Sequence, residues 1–250
     1  MTRLFLILAL LLPAPVLAEE VVAGLSRDEI EITTNFDGSE ILIFGAVRRE
    51  TAIPEGGPLQ VIITVEGPSH PLTVRRKDHR YGIWINTDAA EVDEAPSFYA
   101  VSTTAPFTEV LSDTNDLRHR VSVNRAVRAV GMNVDEQTRF TDALIRIRAS
   151  EGLYQLNEGA VMLRDETLFD TSVRLPANLV EGEYRTRIFL TRDREIVAEY
   201  DTHISVRKVG LERLIYNLAH ERPLIYGILS LVIAIAAGWL ASAVFRYIRT

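Results

Sequence analysis

The chain of 250 residues carries 27 basic and 34 acidic side chains and has no cysteine. The missing thiols exclude disulfide bonds and thiolate-held metal from its fold. Setting aside Arg3, Arg246 and Arg249 at the two ends leaves 24 basic residues against 34 acidic ones, a net charge of −10 that argues against nucleic acid as a partner.

At the N-terminal end Arg3 precedes an apolar run over residues 4–12, and Pro13 and Pro15 interrupt it. Val16-Leu17-Ala18 then stands directly before Glu19-Glu20. A basic start, a short apolar core and a small-residue ending predict a secretory signal peptide over residues 1–18, cleaved after Ala18.

Residues 19–105 read as β-structure. Ile30-Glu31-Ile32-Thr33 alternates apolar and polar side chains, as a half-buried strand does. Glu40-Ile41-Leu42-Ile43-Phe44 and Val61-Ile62-Ile63-Thr64-Val65 are more continuously apolar, which predicts central strands covered on both faces. Further strand patterns at residues 72–75, 82–85 and 98–101, with turn chemistry at Asp37-Gly38, predict an immunoglobulin-like antiparallel sandwich.

Residues 106–210 change character. Helices are expected over 106–111, 116–130 and 135–151. In the last, Phe140, Ala143, Leu144 and Ile147 recur at helical spacing, Asp142 and Arg146 form an i,i+4 pair, and Gly152 supplies a stop. Strands then return: Tyr184, Ile188 and Leu190 alternate with Arg185 and Arg187, and a longer alternation runs over 196–206. The expected fold class is mainly β (α+β): a sandwich, a helical middle segment, a second small β unit and a single C-terminal transmembrane helix. Whether the two β units share one sandwich is open at this level.

Residues 211–222 form a juxtamembrane helix in this reading, with Leu211, Leu214, Ile215 and Leu218 on one face. Residues 223–245 contain no Asp, Glu, Lys, Arg or His, and the apolar part would be about 33 Å long as a helix, enough to cross a bilayer. Tyr226 and Tyr247 fall near its two ends, and Arg246 and Arg249 lie in the tail, residues 246–250. The positive-inside rule makes that tail cytoplasmic. The expected placement is therefore the inner (cytoplasmic) membrane, single-pass, with a periplasmic body and the lipid bilayer as one partner.

No motif with a defined catalytic mechanism occurs, and the five histidines are scattered, so neither an enzyme, a cofactor nor a metal is expected. Two arginine clusters are candidates for an anion patch: Arg75, Arg76 and Arg80 around Lys77, and Arg118, Arg125 and Arg128. Guanidinium forks suit oxyanions. Arginine supplies 25 of the 27 basic residues, however, so solvated arginine-rich faces are expected from usage alone. In the apolar segment Ser230, Ala234, Gly238 and Ser242 recur every four residues, a small-residue stripe of the kind that packs helices in bilayers.

Phe36-Asp37-Gly38 with Phe44-Gly45-Ala46, Gly82-Ile83-Trp84-Ile85-Asn86 and Pro96-Ser97-Phe98-Tyr99 form one set of family-like motifs. Leu175-Pro176-Ala177-Asn178 with Gly182-Glu183-Tyr184, and Tyr226-Gly227 before Gly238-Trp239, form another. Over nearly the whole mature chain the sequence resembles the uncharacterised transmembrane proteins of alphaproteobacteria. The resemblance implies an inner-membrane protein with a periplasmic body, encoded in some genomes beside sulfite-exporter-like permeases, and it supplies no functional residues. The leading functional expectation is a non-enzymatic accessory or scaffold protein that associates with a membrane partner such as a transporter, or with itself, through the transmembrane helix. The alternatives are a periplasmic module that binds or senses small oxyanions and an unrecognised hydrolase.

Overall fold

The strand alternation of the body is realised in the computed structural model, which describes residues 19–33, 36–49, 56–129 and 134–248. The expected signal segment and Arg249 lie outside the described residues. In chain order β1 (Glu20–Leu25), β2 (Glu29–Ile32), β3 (Ser39–Arg48), β4 (Gln60–Glu66), β5 (Ser69–Arg80), β6 (Ile83–Pro96) and β7 (Tyr99–Thr103) come first. The helices α1 (Phe107–Val110), α2 (Asp113–His119), α3 (Val123–Ala126) and α4 (Val134–Ser150) follow. After them run β8 (Tyr154–Asn157), β9 (Met162–Arg164), β10 (Leu168–Leu175), β11 (Gly182–Arg192) and β12 (Glu195–Lys208), then α5 (Leu211–Glu221) and α6 (Pro223–Ile248). The chain divides into two compact units, Met1–Ile30 with Asp37–Val206, and Glu31–Phe36 with Arg207–Thr250.

Strand pairing answers what the sequence left open. Among the described residues one sheet has the order β1-β3-β10-β9 and a second the order β2-β12-β11-β4-β7-β8. β10 pairs antiparallel with β3, placing Val173 opposite Ile41. β11 pairs antiparallel with β4, placing Ile188 opposite Ile63. Strands from after residue 105 therefore complete sheets begun before it. β7 and β8 are parallel, Tyr99 opposite Tyr154, a geometry that requires a long crossover. The segment α1–α4 provides it.

β4 is the centre of the core. Val61, Ile62, Ile63 and Val65 are all fully buried, so both faces of the strand are covered as its apolar run predicts. β3 departs from the same expectation: Ile41, Ile43 and Val47 are buried, but Leu42 and Phe44 are exposed. It lies in the outer sheet, where one face alone meets apolar surface. β10 repeats the pattern, with Phe169, Val173 and Leu175 inside and Leu168 outside. β10 approaches β7 across the layers, while α1 and α3 approach β4 and β7.

The expected helix over 116–130 is broken into two. Asp116 accounts for the break: its carboxylate accepts hydrogen bonds from the Val121 and Ser122 backbone N–H groups at 3.2 and 2.7 Å, and from the Ser122 hydroxyl at 2.8 Å. Arg120 ends α2 at a φ of 50°. The carbonyls freed there are satisfied from the sheet below. Arg187 Nη1 donates to the His119 carbonyl at 2.7 Å, and Nη2 donates to that of Arg120 at 3.1 Å. Arg187 also donates to the Tyr99 hydroxyl, which in turn donates to the Val121 carbonyl at 2.9 Å. Arg187 and Phe189 are thus buried although their side of β11 reads as a polar face. Helix α2 covers that face, and the guanidinium serves as its C-terminal cap.

A second buried arginine ties the start of the body to its far end. Glu19 accepts from Arg49 Nε at 2.7 Å and from Arg192 Nη2 at 3.1 Å. Arg192 further donates to the Gly57 carbonyl at 2.6 Å, and Arg49 to the Glu166 carbonyl at 2.6 Å. The Glu19 and Arg192 side chains are 5% and 9% exposed, and removing one partner of such a group strands a buried charge. Glu19→Ala should lower the unfolding free energy of the body by about 3 kcal/mol, read from urea denaturation.

Glu66, opposite Arg185 in the sheet, has its carboxyl held above the ordinary value of 4.5 because burial outweighs the pull of Arg187 and Arg185. A raised folded-state pKa gives a contribution that is present below the unfolded pKa and lost as pH rises through the folded one. Glu66→Gln should therefore match the parent protein in thermal stability near pH 4 and become relatively more stable toward pH 7, in melting curves across that range.

Candidate functional site

β5 and β6 form a hairpin whose outer part pairs with no other strand among the described residues. Lys77 stands opposite Asn86, His79 opposite Trp84 and Arg80 opposite Ile83. The turn between them places Tyr81 and Gly82 at φ 52° and 83°, the paired positive φ of a two-residue primed hairpin turn, where glycine is the favoured second residue. The inner part is anchored: Ala90, Val92 and Ala95 are buried. The tip is not. Tyr81 and Trp84 are 103% and 69% exposed, with Ile83 and Ile85 exposed beside them. The His79 ring lies edge-on to the Trp84 indole at 5.2 Å. Apolar side chains cluster on the β6 strand of this arm and charged ones on β5.

Below the tip, the hairpin and α4 enclose an open groove of about 860 Å³. α4 ends where Gly152 adopts a φ of 72°, close to the expected boundary. Its apolar stripe is divided between two environments. Leu144 is buried, whereas Phe140, Ala143 and Ile147 face the groove. Arg139 and Arg146 are seven residues apart, two helical turns, and line the same groove. Across from them lie Arg75, Arg76 and Lys77, with Asp88 the one carboxylate among the lining residues. Asp88 is ion-paired with Arg76. Arg75, Lys77, Arg139 and Arg146 have no ion-pair partner among the described residues. The expected Asp142–Arg146 pair does not form: Arg146 lines the groove instead.

The structure therefore redistributes the arginines singled out by sequence. Arg75 and Arg76 belong to the groove, and Arg80 sits nearer the tip, 3.2 Å from Asp78. Arg118 is exposed on α2, and Arg125 lies 4.0 Å from Asp116. Arg128 is held through its backbone, its N–H donating to the Glu94 carbonyl at 2.8 Å. The two clusters do not merge into one patch. Arg139 and Arg146 complete the groove, and the readable signal was their shared helical face with Phe140, Ala143 and Ile147. Such a site offers cations and apolar surface, suited to holding an anion. Among the described residues no group of three or more histidines and carboxylates gathers to hold a metal ion.

In the second unit α6 contains a span, Pro223–Ser242, with a mean hydropathy of 2.3 and no burial. Ser230, Ala234, Gly238 and Ser242 are exposed along it, and a Cβ added at Gly238 would meet nothing within 4 Å. α5 forms as expected. The side chains of Leu211 and Leu214 lie outside the described residues, while Ile215 is exposed. Arg246 is described in its backbone alone.

Together the two units define a membrane protein with a mainly β body and one C-terminal apolar helix. The chain belongs to the family described as "Putative transmembrane protein (Alph_Pro_TM)", whose model matches residues 20–247. No curated protein matches the chain at a significant level. Among solved structures it is similar to Spo0M, a sporulation control protein from Bacillus subtilis, with a TM-score of 0.26 and 12% identity. That match covers 77% of this chain, and the chain spans 50% of the Spo0M chain.

Arg139 and Arg146 have no ion-pair partner among the described residues, so reversing them should not unfold the protein. The double variant Arg139→Glu/Arg146→Glu should change unfolding free energy by no more than about 0.5 kcal/mol, checked by denaturant titration.

Proposed function

We propose that the protein is a non-enzymatic accessory factor of the inner (cytoplasmic) membrane. Its α6 helix spans the bilayer with the C-terminus in the cytoplasm, its body is periplasmic, and its β5–β6 arm docks onto an integral membrane protein. The observation that carries this reading is the exposed tip, where Tyr81, Ile83, Trp84 and Ile85 project without apolar cover. Exposed aromatic and aliphatic side chains of this kind are the anchors that dominate protein interfaces. The arm's outer strand edges also carry unpaired backbone N–H and C=O groups, which hydrocarbon cannot satisfy and a protein partner can. The small-residue stripe of α6 would give the same partner, or a second copy, a helix to pack against.

A photoreactive side chain at position 84 of the full chain, in native membranes, should cross-link to one membrane protein. The same group at Leu117, exposed on α2, should not. Ile83→Ser/Trp84→Ser should abolish co-purification of that protein without lowering the melting temperature, and Gly238→Leu should weaken it. Lipid-only cross-links from position 84, or full retention of the partner by the tip variant, would remove the docking role. A second reading, binding of small oxyanions, is favoured by the cationic groove.

A further inference from the structure

The groove between α4 and the β5–β6 hairpin has two kinds of surface that a simple anion would not need together. Besides the Arg76–Asp88 pair, its cations come from two elements, Arg75 and Lys77 on β5 and Arg139 and Arg146 on α4. Neither pair is neutralised by a carboxylate among the described residues. This concentration of positive charge stands in a chain whose 34 acidic residues outnumber its 27 basic ones. Like charges gathered on two facing elements repel one another unless an anion lies between them. Between them the floor is apolar, with Phe140, Ala143 and Ile147 on the helix and Val74 and Ala89 on the hairpin. Ile147 is 48% exposed there, which leaves apolar area free to be covered by a ligand. The volume, about 860 Å³, is that of a small-molecule site.

We infer that this groove binds an amphiphilic anion, a phosphate-type headgroup held by the four unpaired cations and a short apolar chain laid over Phe140 and Ile147. The guanidinium forks of Arg75, Arg139 and Arg146 match the oxygen geometry of a phosphoryl group, and Lys77 adds a point charge. The chain supplies binding energy that inorganic phosphate lacks, through burial of methylene groups. The inference deepens the oxyanion reading of the groove and does not depend on docking by the arm tip.

The test is calorimetric titration of the full chain, in nanodiscs of phosphatidylcholine, with hexyl phosphate and separately with inorganic phosphate. Hexyl phosphate should bind saturably, and at least about tenfold more tightly than inorganic phosphate. Arg139→Glu/Arg146→Glu should weaken it by about tenfold or more. Arg75→Glu/Lys77→Glu, which changes the opposite wall, should do the same and guards against a local effect on α4. Trp84→Ser, outside the groove, should leave binding unchanged. Absence of saturable binding, or binding undiminished in both reversed variants, overturns the site. Equal affinity for inorganic phosphate overturns the amphiphile and leaves the small-oxyanion reading standing. Vesicles of phosphatidylglycerol added as competitor distinguish the source of the ligand. Displacement of hexyl phosphate upholds the groove with bilayer headgroups as its ligand, and no displacement upholds it with a free amphiphile.

Discussion

A strand that is apolar on both sides needs cover on both sides, and β4 imposes that requirement on the whole body. Its buried run from Val61 to Val65 cannot face water in either direction. The neighbours that flank it, β7 and β11, come from segments about 40 and 125 residues further along the chain. Once β11 is paired there, its Arg187 side lies under the crossover segment. A charged group in that position needs most of its hydrogen bonds satisfied. The carbonyls of His119 and Arg120, freed because α2 stops at residue 120, meet that need. Helix termination and buried charge are thus one arrangement seen from two sides.

The Glu19 cluster applies the same logic at the edge. Two guanidiniums, the carboxylates of Glu19 and Glu166, and backbone carbonyls from separate loops form one polar group. It fixes where the first strand starts, next to the end of β11. Neither arginine is a candidate for ligand binding, because each is already committed to the fold.

The β5–β6 arm is where these constraints lapse. Its inner end is anchored by the buried Ala90, Val92 and Ala95, but its outer part belongs to no larger sheet, and an isolated two-stranded ribbon is marginal in water. Its primed turn, and α4 alongside, hold it in place. The arm therefore offers side chains that the core does not consume. Apolar ones are offered at the tip and basic ones along the groove. The same contrast separates the arginines by role. Arg187 and Arg192 are buried and fully engaged apart from their Nε groups, whereas Arg75, Arg139 and Arg146 are exposed and unpaired among the described residues.

Several features were legible from residues alone because they depend on local patterns. The apolar, uncharged segment that becomes α6 needs only length and composition to be recognised. Continuous apolar runs placed the strands around residues 41–44 and 61–65, period-two alternation placed the one over 196–206, and helical spacing with Gly152 bounded α4. The family membership follows from motifs that are themselves turn, core and membrane residues. Other features depended on which distant segments meet. Periodicity marks a face as apolar or polar without saying what covers it: the Arg187 side of β11 reads as polar yet is buried, and Phe44 reads as covered yet is exposed. The helix over 116–130 read as continuous because the carboxylate that interrupts it, Asp116, acts through backbone groups five and six residues on. Sequence also grouped arginines by proximity along the chain, whereas the groove joins residues about 65 apart. A charge cluster is a property of packed surfaces, and only the docking of α4 beside the hairpin decided which arginines would share one.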